Sequence, residues 1–260
     1  MGGMTRLLLL LCAGVTASTA VDLQKRIVGG RPCPKKTRDY HVYVEGFNGS
    51  HYFMCGGSLI SDRWILTAAH CLKRDVTAYV GPGLIKMDII QHETFKENGN
   101  GNEHDLMLLK LRDSTQIQPV KFPTTAECAK RTKLQTVEIA GYASKFKGPN
   151  NERGDDRPQT LQCADIPVVS CETSRKCLQD SLHPDDLSRL YQRWFCGQSD
   201  TVDISLGDSG GGVVHGSKIY GVISFTMNGT HACVAPAAFM DVCQPRYKDW
   251  IRRMTGLRTI

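Results

Sequence analysis

Three short stretches of this sequence hold residues that could act on one another chemically. Leu66-Thr67-Ala68-Ala69-His70-Cys71 sets a histidine beside a cysteine on a run of small residues. His104-Asp105-Leu106-Met107-Leu108-Leu109-Lys110-Leu111 sets an acid at the mouth of an apolar strand, and Gly207-Asp208-Ser209-Gly210-Gly211 sets a serine among glycines. A serine hydroxyl is a weak nucleophile; it needs a base to take its proton and a third group to orient that base. His70, Asp105 and Ser209 fit those roles. The glycines let the backbone bend so that the amides of Gly207 and Ser209 converge on an oxyanion, a contribution of roughly a few kcal/mol. Each motif is weak alone, since a lone histidine or aspartate is more often structural and a Gly-x-Ser-x-Gly-like string also marks α/β-hydrolases. Those hydrolases run serine, acid, histidine; the order here is histidine, aspartate, serine, which excludes them.

The elements that must position these residues read mainly as strands. Short apolar segments with alternating or β-branched character recur between turn signals at 40–44, 58–66, 84–90, 106–111, 136–139 and 219–224. That spacing predicts an antiparallel barrel architecture rather than alternating strand and helix. Two segments carry a helical period instead: Leu187, Leu190, Tyr191 and Trp194 after Pro184, and Tyr247, Trp250, Ile251 and Met254 after Pro245. Both read as surface helices laid on barrels. The polar stretch 145–159 reads as an exposed loop between two halves and a nicking site.

Composition bounds the class. With 260 residues, 41% hydrophobic and 22% charged, the chain can bury a real core, and disordered and membrane-channel classes lose their support. The net charge of +6 is spread thinly without interleaved aromatics, which argues against a nucleic-acid partner. Residues 1–20, with Arg6, an apolar run and small residues ending at Ala20, have the layout of a secretory signal peptide. The apolar run is too short to span a membrane. Removing that segment takes Cys12 with it and leaves ten cysteines for an oxidising compartment, enough for five bridges. A metal site would need Cys-x-x-Cys pairs or clustered histidines, and neither is present.

Together with the start Ile27-Val28-Gly29-Gly30, the three motifs and their order resemble the trypsin and chymotrypsin family of serine proteases, from Ile27 to the C-terminal helix. The resemblance implies an all-β fold of two antiparallel six-stranded β-barrels with the active site between them, a C-terminal helix and one extra surface helix. His70 is implied as general base and then general acid, with Asp105 fixing its tautomer and Ser209 as nucleophile. Gly207 and Ser209 would form the oxyanion hole. Residues 21–26 would be an activation propeptide and 27–260 the protease domain, switched on by a cut between Arg26 and Ile27 that frees the Ile27 ammonium to pair with Asp208. Implied disulfides are Cys55 with Cys71, Cys33 with Cys163 and Cys128 with Cys243; in the insertion between 163 and 196, Cys177 with Cys196 is favoured, leaving Cys171 and Cys233 to pair or stay free.

The sequence also departs from the family. Only 35 positions separate His70 from Asp105, and the acidic loop that holds calcium in some trypsins is missing, so no calcium is expected. Gly141-Tyr142-Ala143 replaces Gly-Trp-Gly, Gly212 stands where a proline is usual, and Ser205 replaces the cysteine that braces the specificity pocket. Asp203, six residues before Ser209, stands where an acid selects Arg or Lys in the substrate, with Asp200 as a rival for that position. Ser224, Thr226 and Ala237 would line the pocket, and the last two replace glycines and narrow it, which leaves elastase-like or chymotrypsin-like specificity as alternatives. Asn48-Gly49-Ser50 and Asn228-Gly229-Thr230 are glycosylation sequons and also turn signals.

The expected function is a secreted serine endopeptidase, extracellular or in a secretory granule, acting as a monomer with no cofactor and no membrane contact. Its partners would be protein or peptide substrates, an activating protease and protein protease inhibitors. A catalytically silent relative acting as a binding protein is the competing reading, and the intact His70, Asp105 and Ser209 weigh against it.

Overall fold

The computed structural model describes residues 27–143, 148–154, 160–181, 183–258 and 260. The expected signal peptide 1–20, propeptide 21–26 and Arg26 lie outside these residues, as does most of the loop expected at 145–159. A short strand β1 (Arg31–Pro32) leads into β2 (His41–Phe47), β3 (Tyr52–Leu59), β4 (Trp64–Thr67), β5 (Asp75–Val80), β6 (Ile85–Lys96) and β7 (Glu103–Leu111). These six close in the order β2-β3-β4-β7-β6-β5, all antiparallel. The second half holds β8 (Thr136–Gly141), β9 (Gln162–Val169), β10 (Trp194–Gly197), β11 (Gly212–His215), β12 (Lys218–Thr226) and β13 (Ala237–Asp241). They run β9-β10-β13-β12-β11-β8 and close through a β8–β9 ladder, with β1 added outside β9. The fold is therefore the expected pair of six-stranded barrels. Closure pairs the edges of both six-stranded sheets and leaves only the two-residue β1 at an edge, which removes long exposed ladders that favour aggregation.

Within the first barrel, Leu59, Ile65, Leu66, Leu106, Leu108 and Leu109 are buried, and fully burying each such side chain stabilises by about 1.5–3 kcal/mol. The predicted single strand 58–66 is two strands, because the chain reverses after Leu59. Ser61 Oγ accepts hydrogen bonds from the amides of Arg63 and Trp64 at 3.1 and 3.0 Å, stabilising that turn.

Four helices complete the described fold: α1 (Thr125–Cys128), α2 (Glu172–Asp180), α3 (Pro184–Leu190) and α4 (Pro245–Thr255). Helix α4 matches expectation, starting at Pro245 and ending at Gly256 with φ +75°, a left-handed cap that glycine adopts without strain. Its Tyr247 and Trp250 stack edge-on against Phe95 of β6, with ring centres 4.8 and 5.5 Å apart. Helix α3 stops at Leu190, so Trp194 starts a strand instead of completing a helical face. Helix α2 was not anticipated.

Three of the four disulfides found are Cys33–Cys163, Cys55–Cys71 and Cys128–Cys243, as the resemblance implied. The fourth corrects the expected Cys177–Cys196 pair: Cys196 is bonded to Cys171. The ladder that pairs Cys196 with Val169 brings the end of β9 alongside β10, and the Cα atoms of Cys171 and Cys196 lie 5.4 Å apart. Cys177 sits on an exposed face of α2, outside any disulfide.

Candidate active site

His70 lies in a single 3₁₀ turn (Ala69–Cys71) after β4, and the Cys55–Cys71 bridge ties that turn to β3. Asp105 is on β7. Its Oδ1 accepts the His70 backbone amide at 2.9 Å, and the ring Nδ1 lies 2.9 Å from both carboxylate oxygens. This contact assigns the Nδ1–H tautomer, leaving the Nε2 lone pair free to accept a proton. A third donor, the Ser224 hydroxyl, reaches Asp105 Oδ2 from the other barrel. Burial pushes the Asp105 carboxyl upward, but hydrogen bonds and charge from His70, with the Ser224 bond, outweigh it and hold the pKa below its ordinary value.

Ser224 was expected only as a pocket wall. The register of β12 against β13 slips between Ile223 and Phe225, and such a bulge re-aims the extra residue. An irregular ladder position opposite a candidate acid could not be read from the segment Ser224-Phe225-Thr226. The neighbouring His70 ring nitrogen and the sulfurs of Cys55 and Cys71 lie within 4.8 Å of one another, but sulfurs bonded to each other offer no thiolate to a metal.

Ser209, half-buried, sits on a turn pressed between the barrels: its carbonyl accepts the Gly56 amide of β3 at 2.7 Å. Gly210 has φ +82°, and a Cβ there would meet Thr67 Oγ1 at 2.2 Å and the Gly56 carbonyl at 2.3 Å. Only glycine allows this approach. Gly207 has φ +110°, and among the described residues its amide and that of Ser209 donate to no backbone carbonyl. They remain available to an oxyanion. The Ser209 hydroxyl makes no hydrogen bond to His70 here, a contact that commonly tightens only when substrate is bound.

Ile27 is fully buried, and Val28 pairs with Asp203 across an isolated bridge. Asp208 is also fully buried; its oxygens accept the amides of Ala143 at 3.1 Å and Ser205 at 2.8 Å. Burial, with a smaller contribution from the charge of Asp203, raises its pKa to about 7 against the pull of those amides.

Asp203, the expected base of the specificity pocket, is 2% exposed. Its Oδ1 accepts the Ile204 amide at 2.8 Å and its Oδ2 the Cys233 amide at 2.9 Å. The same Oδ2 is paired with Arg153 Nη2 at 2.7 Å. Nothing in the sequence singled out Arg153, which lies in the stretch expected to be an exposed loop. Asp200, the rival position, is exposed. Ala237 is buried, and Thr226 Oγ1 accepts the Asn228 amide at 3.3 Å. Both sequons form the same turn: Asn48 Oδ1 accepts from Ser50 and His51, and Asn228 Oδ1 from Thr230 and His231.

A cleft that sets a histidine and an aspartate of one barrel against a serine turn of the other defines the class of two-barrel serine proteases and their homologues. The chain belongs to the trypsin family, whose model, described as Trypsin, matches residues 27–251. Among curated relatives, Trypsin-4 of Rattus norvegicus is 31% identical, covering 92% of this chain and 94% of its own. Kallikrein-8 of Homo sapiens is 26% identical, covering 97% and 95%. Neuropsin, a serine protease expressed in the limbic system of mouse brain, has a solved structure that aligns with a TM-score of 0.65 and 24% identity. It covers 86% of this chain and 98% of that one, a likeness of fold.

Proposed function

We propose that the chain is a secreted serine endopeptidase, made as an inactive precursor and activated by a cut between Arg26 and Ile27. The observation that carries this reading is the His70–Asp105–Ser224 network facing a Ser209 turn docked on Gly56. In the reaction, His70 Nε2 takes the Ser209 proton as the hydroxyl attacks a peptide carbonyl, and the Gly207 and Ser209 amides hold the oxyanion. His70 then returns the proton to the leaving amine. An acyl-enzyme remains at Ser209, which water hydrolyses by the same steps.

Activation follows from Asp208. A buried carboxyl met only by amides is costly to ionise; a new Ile27 ammonium would compensate it and fix the adjoining oxyanion amides. Four disulfides and the N-terminal pattern support export. The protein acts as a monomer on protein or peptide substrates, meets an activating protease and protein inhibitors, and carries glycans at Asn48 and Asn228. Asp203 supplies the chemistry for an Arg or Lys side chain, provided substrate can reach its carboxylate.

The test compares peptide hydrolysis by the precursor, the chain cut after Arg26, and an Arg26→Gln precursor treated with trypsin. Activity is expected only in the cut form. An uncut precursor as fast as the processed chain would sink the activation reading.

A further inference from the structure

Asp203 is not available to a substrate in this structure. The Arg153 and Asp203 side chains are 4% and 3% exposed, and beyond their ion pair the guanidinium donates to two carbonyls. Nε and Nη2 reach the Asn228 carbonyl at 3.2 and 3.1 Å, and Nη1 reaches the Ile204 carbonyl. The backbone carrying Arg153 is fixed as well. Its amide donates to Thr230 O at 2.9 Å, Ala232 donates to Asn151 O at 2.8 Å, and Glu152 pairs with His231. The guanidinium thus ties the 203–205 segment to the 228–233 loop, in a chain where Ser205 replaces the cysteine expected to brace that pocket.

A substrate guanidinium or ammonium would compete for the same Asp203 Oδ2 and the same carbonyls. Two cations on one buried carboxylate would leave an uncompensated charge out of water, which is strongly unfavourable. Occupancy is therefore exclusive. A competitor tethered in the same chain acts at an effective concentration of about millimolar or more. Thr226, half-buried, and Ala237, buried, stand where the family resemblance implies glycines, and side chains there would favour small substrate residues.

We propose that Arg153 is a specificity-determining residue that fills the basic side-chain site from within the chain, so that Asp203 does not select Arg or Lys and cleavage falls after small uncharged residues. The kinetic consequence rests on the peptidase reading. The occupancy does not, and binding alone reads it.

The probe is p-aminobenzamidine, an aryl amidine that needs the free carboxylate, titrated into the full chain before and after the cut at Arg26–Ile27. Arg153→Gln is expected to bind it about tenfold or more tighter than wild type, reflecting loss of the tethered competitor. The Arg153→Gln, Asp203→Ser double variant is expected to lose that gain. Should Arg153→Gln not fold, Arg153→Lys keeps the charge but lacks the planar fork, and a several-fold gain is expected from it. In the processed enzyme, kcat/KM for Arg substrates should rise relative to matched Ala substrates in the same order. Equal amidine affinity in wild type and the position-153 variants would overturn the proposal. A chain whose amidine affinity responds to Arg153 but whose Ser209 never reacts with a fluorophosphonate would instead sink the peptidase reading and leave this one standing.

Discussion

Asp105 collects donors from both barrels: the amide and ring of His70 from its own side and the Ser224 hydroxyl from the other. Each bond holds the carboxylate ionised and in place, so that His70 presents Nε2 rather than Nδ1 toward Ser209. Removing a hydrogen bond to a charged group costs about 1.5–3 kcal/mol. Ser224→Ala is therefore expected to lower kcat/KM about ten- to a hundredfold through kcat, with KM little changed. Steady-state kinetics of the processed variant checks this, and an unchanged kcat would show that Ser224 only lines the pocket. His70, Asp105 and Ser209 were legible because their neighbours are unusual: small residues, an apolar strand and dense glycine. Ser224 and Arg153 were not, because one depends on a ladder slip and the other on tertiary pairing across 50 residues to Asp203.

At the scale of elements, the legible strands were β2, whose buried and half-buried residues alternate, and β7, whose apolar run extends over most of nine residues. Strands β10, β11 and β13 escaped because they are short and almost wholly buried, and a continuous apolar run has no period to read. Trp194 added a false helical position to the pattern of α3, since its spacing from Leu190 and Leu187 matches a helix face although the chain has already turned into β10. The true partner of Cys196, Cys171, was hidden for a different reason. Only the ladder between β9 and β10 shows that Cys171, at the start of α2, lies opposite it, whereas the family resemblance carried no information across an insertion.

At the scale of the whole molecule, the proposed activation would couple to pH through Asp208, whose carboxyl is fully buried. Its ordinary pKa of 3.8 is raised to about 7 in the folded chain, first by burial. Between those values the folded precursor keeps a proton that the unfolded chain has released, so stability falls as pH rises through about 4 to 7. Three pKa units correspond to about 4 kcal/mol at most. Asp208→Asn in the uncut Arg26→Gln chain should flatten that slope, as should cutting the wild-type chain, where the Ile27 ammonium would favour the ionised carboxylate. Urea midpoints across that pH range read both effects, and a precursor slope that survives Asp208→Asn would assign the pH dependence to other groups.

The most direct measurement is labelling with a fluorophosphonate, which phosphonylates a serine only when a base removes its proton and an oxyanion hole receives the charge. The chain cut after Arg26 is expected to take up one label, at Ser209 by peptide mapping, and Ser209→Ala to take up none while melting at the wild-type temperature. A processed chain that remains unlabelled, or a Ser209→Ala variant that still reacts, would contradict the account.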